Sequence, residues 1–166
     1  MKIVSICIGK LAVAALLAGC FLAAAAIPVR AGLGGDTASI ESDAAAMQGK
    51  LSQSAKQNLE QSASYNVKTF VTGNGVTVRE YAARSGPIFG VAWQGRRPPD
   101  LSVLLGSYYP EYATASGLKR HTNLHHEVIA GPNSIVVLGG HMGHLVGRAY
   151  VPSLAPSGVD AKAVVK

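Results

Sequence analysis

Apolar residues change their spacing repeatedly along this chain, and each change marks an element. From Leu11 to Ile27 the apolar run is nearly continuous and ends at Pro28. From Ile40 the period is helical: Ile40, Ala44, Met47, Leu51, Ala55 and Leu59 recur every three or four residues. That spacing predicts one amphipathic helix of about six turns, its stripe packed on something else. From Tyr65 the period becomes two. Tyr65, Val67, Thr69 and Val71 alternate, Gly73-Asn74-Gly75 intervenes, and Val76, Val78 and Glu80 alternate again. Asn-Gly between two such runs predicts a tight hairpin, because its turn needs positive φ.

A second turn at Ser85-Gly86 leads into a third strand, Ile88 to Gln94. Two-residue loops in both hairpins would align Val71, Val78 and Trp93, with Val67, Ala82 and Phe89 on the same face. Pro98-Pro99-Asp100 stops the sheet, and Asp100 is the natural N-cap of a helix carrying Leu101, Leu104, Leu105, Tyr108 and Tyr112. Pro110 lacks an amide proton, so this helix is expected to kink or end near Tyr109. Three further strands follow, at 122–130, 135–138 and 144–151, with an irregular tail over 152–166. The order helix, three strands, helix, three strands predicts an α+β fold, a sheet of antiparallel hairpins with two amphipathic helices.

The first run reads as an export signal rather than as part of that fold. Lys2 and Lys10 supply its charge, and Val29-Arg30-Ala31 places small side chains at the −3 and −1 positions of a cleavage site. Residues 1–31 are then a signal peptide and 32–166 a single domain, in the periplasm or outside the cell. Two other readings stay open. Leu17-Ala18-Gly19-Cys20 has the form of a lipobox, which would anchor a lipoprotein through Cys20. An uncleaved leader would instead be a short membrane anchor.

Removing the leader changes the charge. Lys2, Lys10 and Arg30 go with it, so Lys+Arg falls from 15 to 12 against 9 Asp+Glu, and the net charge falls from +6 to +3. So small an excess, with no run longer than Arg96-Arg97, excludes a nucleic-acid footprint. Both cysteines, Cys7 and Cys20, lie in the leader, so the exported domain holds together without disulfides.

Candidate chemistry is sparse. P-loop, dinucleotide and nucleophile-elbow motifs are absent, so the reading leans away from an enzyme, with no catalytic residues assigned. Glu80 falls on the apolar face between Thr69 and Val91. There it is either a carboxyl of raised pKa suited to general acid work or a strand-edge residue paired with Lys68 or Arg79. Trp93, Arg96, Arg97, Tyr108 and Tyr109 combine the aromatic and arginine side chains that dominate interfaces. They are the candidate surface for an envelope protein or a glycan. The rival is a metal site, since all the histidines fall between His121 and His144. If Ala130 pairs with Ile135, His126 faces Gly139 with His141 diagonal to it. A two-residue Met142-Gly143 loop then sets His141 opposite His144. His126, His141 and His144 would converge on zinc or copper; otherwise no cofactor is expected.

Several segments carry a family resemblance: Leu33-Gly34-Gly35-Asp36, Val78-Arg79-Glu80-Tyr81, Val91-Ala92-Trp93-Gln94-Gly95, and Pro99-Asp100-Leu101 with Leu104-Leu105-Gly106. Gly139-Gly140-His141-Met142 and Gly147-Arg148-Ala149-Tyr150 extend it over nearly all of the mature chain. In these the chain resembles the small exported bacterial proteins catalogued as domain of unknown function DUF2844. The resemblance implies export and one compact domain. It implies no catalytic or ligand-binding residue.

Overall fold

The computed structural model describes residues 32–51, 64–84, 86–117 and 126–166. The expected leader with Cys20, the stripe positions Ala55 and Leu59, Ser85, His121 and His125 lie outside these. The fold is α+β. Seven antiparallel strands form one sheet in the order β1-β2-β3-β4-β7-β6-β5. They are β1 (Lys50–Leu51), β2 (Tyr65–Val71), β3 (Thr77–Ala83), β4 (Ile88–Gly95), β5 (His126–Ala130), β6 (Ile135–His141) and β7 (His144–Tyr150). Two meanders thus meet where β4 pairs with β7.

The first hairpin is one residue out of the expected register. Its loop is Gly73-Asn74-Gly75, closed by Thr72 and Val76, and positive φ falls on Gly75 (80°). A three-residue loop ending in a left-handed glycine is a standard hairpin closure. Phe70, not Val71, therefore pairs with Val78, which pairs with Trp93. The slip buries Phe70 completely and leaves Val71 39% exposed. Burying the larger side chain favours this register. In the second hairpin the expected pairing holds from Thr77 to Tyr81, and a bulge then sets Ala82 opposite Ile88. Phe89 consequently shares a face with Val67, while Ala82 lies on the other.

One side of the sheet, the helix side, is covered by α1 (Ile40–Ala46), α2 (Leu101–Leu104) and α3 (Tyr109–Gly117). Phe70, Val78, Val91, Trp93, Val136 and Ala149 pack there against Ile40, Ala44, Leu104 and Leu105. The long first helix is not formed. α1 stops at Ala46, Gln48 takes a positive φ of 51°, and Leu51 joins β1 opposite Phe70. Asp100 does cap α2, accepting from the Ser102 N–H at 2.9 Å. Pro110 does not end a helix; it stands in the first turn of α3, where its missing N–H costs nothing. The break lies earlier, at Gly106, with φ 49°.

The tail corrects the sequence reading most. Instead of trailing off, it forms a short 3-10 turn (Pro152–Leu154) and α4 (Ala161–Val164), capped by Asp160. It covers part of the opposite side of the sheet, here called the tail side. Ala161 and Val165 are buried with Val67, Tyr81, Phe89 and Tyr150. Gly90 makes this possible, since a Cβ there would lie 2.3 Å from Val165. The Tyr81 hydroxyl and Arg79 donate to the main-chain oxygen of Lys166, and Arg148 donates to those of Lys162 and Val165.

Candidate functional site

Strand pairing places three rows of side chains across the tail side. The row under the tail is Ile135, Tyr150, Gly90 and Tyr81. The next is Val128, Val137, Arg148, Ala92 and Arg79, and the third is His126, Gly139, Val146, Gln94 and Thr77. The third row and the Val128–Val137 end of the second are not covered, whereas Ala92, Arg148 and Arg79 of the second row meet the tail. Val128 is 42% and Val146 37% exposed. Small residues at Ala92 and Gly139 leave a groove of about 290 Å³ between the longer side chains, closed at one end by Lys166. That is near the lower size limit of ligand sites.

A second, more open hollow of about 450 Å³ adjoins the groove through Thr77 and Gln94, and Arg96 and His144 line it. Among the described residues no Asp or Glu lines either hollow, whereas Arg79, Arg96, Arg148 and Lys166 do. Among the described residues, Arg79 and Arg148 hold the tail through Nη1. A guanidinium carries five N–H donors, so both retain capacity for an anion.

The residues singled out from sequence are dispersed. Trp93 is only 5% exposed and lies on the helix side, its ring folded over Gly147, where a Cβ would come within 2.2 Å of it. It is a core residue, although it also borders the groove. Arg96 and Arg97 are exposed just after β4, whereas Tyr108 and Tyr109 are half-buried against the helix-side core. Trp93 therefore cannot join those four in one surface. The groove residues Arg79, Val137, Val146 and Arg148 were missed. A legible signal existed: valines recur at alternate positions outside the expected core face. It became meaningful only once register set them side by side.

The histidine register is as expected. Ala130 pairs with Ile135, His126 with Gly139 and His141 with His144. The Met142-Gly143 loop closes with positive φ on Gly143 only (86°), so Met142 needs no unusual backbone. The His141 and His144 rings lie 5.8 Å apart. His126 belongs to the row before them and lines the groove. Among the described residues, no three His, Cys, Asp or Glu side chains are placed to hold a metal ion.

Glu80 is neither at a strand edge nor open to substrate. It sits on the helix side opposite Lys68 and Val91, fully buried, and faces Asp43 of α1, itself 3% exposed. Both Glu80 oxygens and Asp43 Oδ2 lack a hydrogen-bond partner among the described residues. Two carboxylates cannot bond each other, but a carboxylic acid donates to a carboxylate, so this pair is suited to holding a proton. Burial pushes Asp43 up to about 7, opposed by the Gly32 N–H and by Glu80. Burial and the charge of Asp43 push Glu80 up to about 8, with Lys68 opposing.

No helix among the described residues is long and apolar enough to cross a membrane. No curated protein and no solved structure matches the chain. One family does, described as protein of unknown function (DUF2844), over residues 29–164. That match spans the sheet, the elements on both of its sides and the tail as far as Val164, and the chain belongs to the DUF2844 family.

Proposed function

We propose that this protein is an exported, non-enzymatic binding or accessory module of the cell envelope, and that the open rows of the tail side bind its ligand. The observation that carries this reading is a cluster of half-buried Val137 and exposed Val146 beside Arg148 and Arg79, with no acid among the groove's described lining. Such a surface matches an anion with an apolar portion better than a neutral glycan or a nucleic acid. Carboxylate or phosphate would meet the guanidinium forks, and a short hydrocarbon would cover Val137 and Val146. Among its described lining residues the groove holds no buried nucleophile or buried base, its one histidine, His126, is exposed, and the perturbed carboxyls Asp43 and Glu80 lie on the other side of the sheet. Binding, not turnover, fits this placement.

Calorimetric titration with decanoate, with decanol and acetate as controls, tests the reading. Saturable decanoate binding that Val146→Glu weakens by about tenfold or more supports it. Decanoate binding that is absent, or is unchanged in that variant, overturns it. The zinc or copper alternative has the His141–His144 pair in its favour. One equivalent of metal in the exported protein, lost in His141→Ala, would move it ahead.

A further inference from the structure

The buried acid pair is short of donors, and the N–H of Gly32 is a donor to its Asp43 member. Asp43 and Glu80 present three oxygens without hydrogen-bond partners among the described residues. The charged groups acting on them are each other and Lys68 of β2, whose Nζ lies 3.4 Å from the Thr37 carbonyl. Gly32 donates its backbone N–H to Asp43. It is buried, and it is held in place: its carbonyl accepts from Gly35, and the next residue donates to Leu104 at 2.9 Å. A Cβ on Gly32 would lie 2.3 Å from the Val103 carbonyl oxygen, so only glycine fits. Gly32 is also the residue that follows Val29-Arg30-Ala31, the small-residue exit of the leader.

We propose that cleavage between Ala31 and Gly32 turns the Gly32 nitrogen from a neutral amide donor into an α-ammonium that is the buried counter-ion of Asp43 and Glu80. Leader removal then completes the core chemically as well as releasing the protein. The step is hydrolysis by an export peptidase. Water adds its hydroxyl to the Ala31 carbonyl carbon, the C–N bond breaks, and the Gly32 nitrogen leaves as an amine that takes up a proton. One amide donor becomes three donors carrying a positive charge, beside two carboxyls whose burial disfavours ionisation. This inference rests on export and is independent of the groove.

Two measurements test it. The intact mass of the exported protein comes first: a start at Gly32 supports the proposal, and a lipidated Cys20, an uncleaved leader or any other start overturns it. Thermal and denaturant unfolding then compare protein starting at Gly32 with protein retaining residues 28–31. The Gly32 form is expected to show a folded-to-unfolded ratio at pH 7 higher by about tenfold or more. In the retained form stability falls as pH rises through 7 to 8, because the folded carboxyls bind protons that the unfolded ones have released. In the Gly32 form the ammonium keeps them ionised, and the loss is deferred above about pH 8, where a free α-amino group deprotonates. Asp43→Asn, which keeps the shape of the side chain, is expected to shrink the difference between the two forms. Equal stabilities and equal pH profiles overturn the proposal, as does a difference that Asp43→Asn leaves intact.

Discussion

The covered and open rows of the tail side run through the same strands, yet their compositions diverge within one residue pair. Under the tail, Tyr81, Phe89 and Tyr150 surround Gly90, whose missing side chain receives Val165. One pair along, the row is valine, arginine and alanine, and the pair after that brings His126, Gln94 and Thr77. Large aromatic area needs a lid, because leaving it in water forfeits its burial energy. Mixed valine and arginine tolerates water and retains unspent hydrogen-bonding capacity. The contrast shows that the molecule seals one part of the face with its own chain and leaves the other open to solvent.

Deleting residues 159–166 should break that contrast most severely. It strips Tyr81, Phe89, Tyr150 and Arg148 of their cover and should cost about 3 kcal/mol or more in denaturant unfolding. The buried acids give the next effect, with the Ala31–Gly32 bond intact. Their folded pKa values are raised, so their contribution is fully present below the unfolded carboxyl range near pH 4. It is lost as pH rises through about 7 to 8. The slope is at most about 1.4 kcal/mol per pH unit for each proton, and Glu80→Gln should flatten it in thermal unfolding from pH 5 to 9. Gly90→Ala should cost about 1–3 kcal/mol by pushing Val165 out of its seat, measurable as a lower Tm. Smallest of all, Val146→Ser in the open rows should move stability by no more than about 0.5 kcal/mol, read by the same melt. If Val146→Ser proved as costly as Gly90→Ala, the open rows would be core rather than surface.

How much of this was legible follows a physical line. The N-cap at Asp100, the strand pairings of the last meander and the His141–His144 pair were readable because short loops fix register locally. The first hairpin was misread by one residue because Gly73-Asn74-Gly75 closes either a two- or a three-residue loop. Only the burial of Phe70 against α1 and the helix-side core decided between them. The helix expected through Leu59 stops at Ala46, and Lys50–Leu51 pair with β2 instead, an override of periodicity by a neighbouring strand. Trp93 looked like an interface anchor because composition says nothing about which face of β4 it takes.

By itself, then, the sequence determined the α+β class, the antiparallel pairing of the sheet and the confinement of cysteine to Cys7 and Cys20. These depend on period, turn residues and composition, which act within a few positions along the chain. Tertiary structure decided the rest. It brought Asp43 of α1 over Glu80 of β3, laid the tail on Gly90, and aligned Val128, Val137, Arg148 and Arg79 across strands distant in sequence. Each of these depends on which nonlocal surfaces exclude water together. That is a property of the packed sheet, and no local pattern encodes it.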